Sequence, residues 1–349
     1  MTSTSRTVRL TCAALSLTCL LGVASCGGSS HKKKQKATPT VSVTSPTRTK
    51  SAPKPAPKPK PPSVDPLTGG KPAKGSVVAV KIDDTANGRP QLGINHADIV
   101  YIEQVEGGLT RTIALFHSVK PPSVGPVRSV RSNDPELLTQ YGPISFVASG
   151  GGGDSLPALD KSILKANIND RGAPGFFRDN GRSVPYNLML HLGQVTGGAA
   201  AKPVGFTWSS STKGLGRTPA APAVNTVVGD TPVQFRWDGA HKVYVRYIDG
   251  VQQHAADGGV IGTPNVIVQF TGGYVNTADV DQAGNPGWFT VSVGRGPVVV
   301  FRDGHAINGR WSRANAAAGT TLKDKYGHQI PLRPGGAWVV LATKGARLN

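Results

Sequence analysis

The chain has 349 residues, 39 Lys and Arg against 20 Asp and Glu, a formal charge of +19, and large shares of glycine (44) and proline (28). Hydrophobic residues make up 38%, enough for a packed core, but after residue 30 no apolar run approaches the roughly 18–20 residues of a spanning helix, which excludes a polytopic membrane protein. The three cysteines, Cys12, Cys19 and Cys26, all precede residue 27, which excludes a disulfide scaffold, a thiolate metal centre and a cysteine nucleophile from the body of the chain.

Arg6 and Arg9 precede an apolar, small-residue run over residues 10–25, the pattern of a secretory signal peptide. The run ends Val23-Ala24-Ser25-Cys26, which resembles a bacterial lipobox: small residues before the cut, then a thiol that accepts a diacylglyceryl group. The expected mature chain starts at Cys26 and is a lipoprotein, held on the extracytoplasmic face of the cell membrane by acyl chains such as palmitate. More than one chain is needed, because a single one anchors only marginally. Residues 26–74 read as a disordered, basic, Pro-rich linker. The 51–62 stretch favours polyproline II, and the segment has too little apolar surface to fold. Residues 1–74 hold 13 of the 39 bases and a single acid, Asp65, so the rest carries only +7. The linker lysines suit membrane lipid head groups or anionic envelope polymers. Nucleic acid does not fit that compartment.

Residues 75–205 read as a mixed α/β sheet domain. Strands are expected over 76–82, 97–105 and 109–117, the last two joined at Glu106-Gly107-Gly108. In the third, Arg111, Ile113, Leu115 and His117 share one face by period two. A helix should start with Asp134 as N-cap and Pro135 as first helical residue, ending by Gly142. A strand over 144–148 runs into the glycines 150–153, a short helix follows to 164, and a last helix is expected over 188–195. Residues 225–345 read as a smaller, β-rich antiparallel domain. Asp-Gly recurs at 238, 249, 257 and 303 beside apolar runs, a strong hairpin signal. Strands are expected over 243–248, 265–270, 288–293, 297–301 and 338–341. The fold class is therefore α+β.

Few residues carry recognisable chemistry. No two of the eight histidines have metal-ligand spacing, and no metal or cofactor is expected. Asp279-Val280-Asp281 opens like a calcium loop, but Ala283 and Thr290 replace two of its ligands, so it reads as a hairpin tip. Ser162/Lys165 and Ser210/Lys213 satisfy Ser-x-x-Lys without its supporting motifs. One constellation stands out. Arg128 and Arg131 precede a helix start, with Ser132 and Asn133 between them and the helix and Arg111 on a neighbouring strand face. That arrangement suits a phosphate, carboxylate or sulfate. The competing assignment is structural: Arg128 and Arg131 pair with Glu103, Glu106 or Asp83. Those carboxylates also supply a rival function, a cell-wall glycan hydrolase using Glu106 with Asp83 or Glu103. The odd spacing of Glu103 and Glu106 places them on opposite strand faces unless the strand twists or ends between them. A binding or assembly role in the cell envelope is the preferred reading over a catalytic one.

Several stretches together resemble the YerB-like lipoproteins, a bacterial family of unassigned function. They are Lys81-Ile-Asp83, Arg89-Pro-Gln91, Ala97-Asp-Ile-Val-Tyr101, Val105-Glu-Gly-Gly-Leu-Thr-Arg111, Gly125-Pro-Val-Arg-Ser-Val-Arg131 and Pro185-Tyr-Asn187. In the second domain Asn265-Val-Ile-Val268, Gly309-Arg-Trp311 and Leu332-Arg-Pro-Gly335 before Trp338 match as well. The resemblance covers roughly residues 75–342. It implies a two-part, membrane-anchored extracytoplasmic protein and brings no established reaction or ligand. Where members often carry Glu after the Val-Tyr pair, this chain has Ile102.

Overall fold

The strands Val78–Asp83, Thr110–Phe116 and Ala337–Ala342 are buried at every position. Strands apolar on both faces belong inside a sheet that is covered on both sides, and that is where they lie. The computed structural model describes residues 63–213 and 218–343. The expected signal peptide, Cys26 and the linker as far as residue 62 lie outside the described residues.

Ten strands form the main sheet. From one edge their order is Thr321–Asp324, His305–Arg313, Gly294–Arg302, Asn265–Phe270, Ala337–Ala342, Ile99–Gln104, Thr110–Phe116, Val78–Asp83, Ser145–Ala148 and Lys165–Ile168. One half of the sheet thus comes from the second segment and one half from the first. Ala337–Ala342 is the joint. It runs parallel to Ile99–Gln104 on one side and to Asn265–Phe270 on the other, so that Val339 stands opposite both Tyr101 and Ile267.

Each face of this sheet buries its own core. On one face Tyr101, Ile113, Ile267 and Val339 pack with Leu137, Tyr141 and Leu159 from helical turns. On the other, Val100, Ala114, Val266 and Val340 pack against Val224, Phe235 and Tyr244. The last three belong to a smaller antiparallel sheet in which Val251–Gln252, Val243–Ile248, Thr231–Asp238 and Ala223–Val228 follow one another. Two turns bear out the Asp-Gly signal, one in this sheet and one between Gly294–Arg302 and His305–Arg313 of the main sheet. Asp249/Gly250 and Asp303/Gly304 take φ values of 49°/77° and 51°/74°, the positive pair that a tight type I′ connection requires.

Three expectations need correction. The α+β class overstates the helices: among the described residues the α-helices are Asp134–Leu138 and Ser155–Asp160, of five and six residues, and the fold is sheet-dominated. The second segment is not purely antiparallel, because its final strand is parallel to both neighbours. The helix expected over 188–195 is instead the strand Leu188–His191 followed by a 3-10 turn. Leu190 pairs there with Val124 and Phe176, and tertiary pairing overrides the weak helix propensity of the stretch.

The single acid of the basic segment also behaves differently from a linker residue. Asp65 is fully buried. One of its oxygens accepts the N–H groups of Leu67 (2.9 Å) and Thr68 (3.2 Å). The other lies 2.7 Å from His117 Nδ1. The packed chain therefore begins before Gly75. Burial pushes the Asp65 carboxyl up, but the His117 contact and the backbone N–H groups outweigh it and leave it below its usual range. His117 is raised above its ordinary value, chiefly by Asp65 and against its own burial.

A raised histidine stabilises the fold fully below its unfolded value of about 6.5, and that contribution is lost as pH rises through the higher folded value. The stability gap between wild type and Asp65→Asn should therefore be widest near pH 6 and narrow as the solution is made alkaline. Thermal unfolding across pH 5–9 measures it; a gap that widens toward high pH would contradict the pairing.

Candidate functional site

Where the apolar face of the sheet runs out, the strand register places charges side by side. Asp83 stands opposite Arg111, and Arg111 stands opposite Glu103 on the next strand. Period two keeps Lys81 and Asp83 on the face of Ala79, and Glu103 on the face of Tyr101. Charges this deep are costly unless paired and hydrogen-bonded. Lys81 Nζ contacts Glu103 and donates to both oxygens of Asp134, at 2.8 and 2.9 Å. Arg131 makes a two-point contact with Glu106, Nε to Oε2 at 2.7 Å and Nη2 to Oε1 at 2.5 Å. Arg111 Nη2 reaches the same Oε1 at 2.6 Å. Three cations thus face three carboxylates.

The acid–base properties follow from this packing. Burial lowers Lys81 to about 8, against the pull of Asp134. Burial and then Arg131 lower Arg111 to about 10, which leaves it charged at neutral pH. Burial would raise Glu106, but Arg111 and Arg131 reverse that and hold it below the ordinary carboxylate range. A glycosidase acid must keep its proton near neutral pH. Glu106 is held ionised and Glu103 is buried between Lys81 and Asn133, so the site does not favour the hydrolase reading.

The structure separates the residues expected to bind an anion. Arg128 is the accessible one, with its side chain one-fifth exposed (20%) and Nε 3.1 Å from Asp83 Oδ2. Its Nη1 donates to the Pro185 carbonyl at 3.3 Å, and its guanidinium lies over the Tyr186 ring at 5.2 Å. Arg111 and Arg131 stand behind it, committed to Glu106. Ser132 and Asn133 are buried and turned away. The Ser132 N–H donates to Asp279 Oδ2 at 2.8 Å, and Asn133 Nδ2 donates to Glu103 Oε2 at 2.8 Å. Asp134 is the first helical residue, not the N-cap, because its carboxylate is taken by Lys81 and by the Arg131 N–H (2.8 Å).

These arginines line a cleft of about 420 Å³, together with Arg178, Asp170 and the 280–283 turn. Arg178 was not singled out from the sequence, since its strand, Phe176–Arg178, is too short to show alternation; the nearby Pro185-Tyr-Asn187 is its signal, for Arg178 Nη1 donates to Asn187 Oδ1 at 2.7 Å. The glycines at 150–153 serve close packing: a Cβ at Gly150 would overlap the Asp170 carboxylate, and one at Gly152 the Val280 carbonyl. The calcium-like stretch is the tip between strands Gly273–Val280 and Pro286–Thr290. Asp279 is buried and takes the Ser155 hydroxyl at 2.6 Å, while Asp281 closes the turn by accepting the N–H groups of Ala283 and Asn285.

Two family models match the chain. Residues 67–206 match the N-terminal domain of a protein of unknown function, DUF3048, and residues 223–339 match its C-terminal domain. A relative in Bacillus subtilis (strain 168), named "Putative lipoprotein YerB", is 27% identical over 275 residues, which span 75% of this chain and 80% of the relative. The crystal structure of the YerB protein from Bacillus subtilis has the same fold, with a TM-score of 0.69 at 22% identity, covering 82% of this chain and 99% of that one.

Removing the shared counter-charge should be costly. Glu106→Gln leaves Arg111 and Arg131 buried side by side, and the expected loss is about 3–5 kcal/mol. Arg128→Ala, at a partly solvated position, should cost about 1 kcal/mol or less. Urea unfolding of both variants checks this, and equal losses would refute the division of roles.

Proposed function

The chain belongs to the YerB-like family, with the N-terminal and C-terminal DUF3048 domains in that order, and from that footing we propose that it is a lipid-anchored protein that binds an anionic group in the Arg128 cleft. The lipobox-like Val23-Ala24-Ser25-Cys26 and the lipoprotein name of the relative support the anchor. No helix among the described residues is long and apolar enough to cross a membrane, so the acylated Cys26 would do the holding. In this reading residues 1–25 are the signal peptide and the mature chain sits on the extracytoplasmic face of the membrane. The basic segment after Cys26 spaces the body from anionic lipid head groups or envelope polymers.

One observation carries the binding role. Arg128 and Arg178 reach the cleft beside a buried network whose charges already balance. Asp83 lies against Arg128, and Asp170 and Asp281 line the same cleft, but Arg178 pairs with the neutral amide of Asn187, and its guanidinium fork matches the oxygens of a carboxylate or phosphate.

Calorimetric titration of the full chain in detergent with inorganic phosphate tests the binding. Arg128→Ala and Arg178→Ala should each weaken it roughly tenfold, since a hydrogen bond to a charged group contributes about 1.5–3 kcal/mol. Added salt should weaken it further. Affinity untouched by either substitution would sink the assignment. Cys26→Ser should shift the protein from the membrane fraction to the soluble one; retention on the membrane would remove the anchor from the proposal.

A further inference from the structure

The cleft does not end at Arg128. On the other side of that residue lies a second hollow of about 280 Å³, and the two share Glu106, Arg111, Arg128 and Asp281. They form one groove with Arg128 at its waist. The wall changes character across the waist. The first hollow adds Arg131, Arg178, Asn169 and Asp170. The second adds Thr85, Leu109, Tyr186 and Asn285, and no further cation. Hollows of roughly 300–1,000 Å³ hold whole organic ligands, with apolar surface to cover a body and a few polar groups to orient it. A bare inorganic anion would leave the second hollow unused.

The second wall matches a sugar ring. Leu109 is half exposed (48%) and offers an apolar face. The Thr85 hydroxyl and the Asn285 amide supply groups that pair with sugar hydroxyls. Asp83 and Asp281 border this hollow with Arg128 as its one partly exposed cation, whereas the first hollow sets Arg128 and Arg178 against Asp170 and Asp281, so an acidic group is held less well in the second hollow than in the first and a neutral unit suits it better. We propose that the groove takes an acidic oligosaccharide in which a charged unit is followed by a neutral one. The acid group pairs with Arg128 and Arg178, and the neutral ring lies against Leu109 and Tyr186. This rests on the anion-binding reading of the same cleft and extends it from a charge to a polymer class.

The probes are glucuronate, a hyaluronan tetrasaccharide (alternating glucuronate and N-acetylglucosamine) and neutral chitotetraose, titrated into the full chain in detergent. The tetrasaccharide should bind at least about tenfold tighter than glucuronate, as expected for two or more added hydrogen bonds, and chitotetraose should bind weakest. Leu109→Trp, which narrows the second hollow without touching Arg128, should bring the two acidic probes within about twofold of each other and leave glucuronate unchanged. Leu109→Phe makes a smaller intrusion at the same half-exposed position and should give a partial effect if the Trp variant fails to fold. Equal affinities in the wild type, a ratio indifferent to both Leu109 variants, or chitotetraose binding as tightly as the tetrasaccharide would overturn the proposal. If glucuronate and phosphate bind but the tetrasaccharide gains nothing, only this extension falls; if no anion binds at all, the reading beneath it falls too.

Discussion

Six ionisable side chains, Lys81, Arg111, Arg131, Glu103, Glu106 and Asp134, lie where the main sheet stops being apolar, and their mutual pairing fixes the surroundings. Each is nearly or wholly withdrawn from water, so each would destabilise the fold if left alone. Together they pin the segment that follows Pro126. Its backbone is held from both sides: the Asp83 N–H donates to the Pro126 carbonyl, the Arg128 N–H to the Lys81 carbonyl, and the Ser149 N–H to the Arg128 carbonyl, each at 2.9 Å. Arg128 is thereby aimed outward by groups that are themselves largely buried. The inner arginines are committed to Glu106 and the outer one keeps a partly exposed face, although Arg128 and Arg131 share the same Val-Arg-Ser context.

The two domain matches are bound to one another by more than the shared sheet. Arg246, on the small sheet, is buried and donates to Asp84 Oδ2 at 2.8 Å while its guanidinium sits 5.1 Å from the Trp338 ring centre. Asp84 also accepts from Thr110 at 2.8 Å and from Gln91 at 3.1 Å. Farther along, Asp279 takes the Ser132 N–H across the same divide. Buried hydrogen-bonded charges of this kind specify one arrangement, because a shifted partner would leave an ion without its counter-charge. The turn at 280–283 is held over the cleft by that anchoring, which is why residues from both segments meet around Arg128.

Local pattern in the sequence reached as far as local physics does. The runs 243–248 and 265–270 are strands over those same residues, since β-branched residues end there at turn formers. The alternation of Ile113 and Leu115 with Arg111 placed that arginine on the core face. Pairing between distant segments left no local trace. Nothing near residue 337 says that its strand lies between strands beginning at 99 and 265. Nothing near Asp65 says that a lone acid in a basic stretch meets a histidine 52 positions later. At the site, both the anion-binding and the salt-bridged assignments of Arg128 and Arg131 fitted the sequence; in the structure Arg131 pairs with Glu106 and Arg128 with Asp83, and Arg128 alone of the two keeps a partly exposed side chain. Ser132 and Asn133 were misplaced for the same reason: proximity along the chain put them beside the arginines, while the bend into the helix turned them inward.

The position of Ala337–Ala342 has a temporal consequence. A strand translated after both of its neighbours is the rung that joins them. Until it is made, Ile99–Gln104 and Asn265–Phe270 each lack one parallel partner, and the ten-stranded order is incomplete. Contacts between segments so far apart along the chain form late in folding, and translation interrupted before residue 337 leaves two sheet fragments with open edges for chaperones and proteases to find.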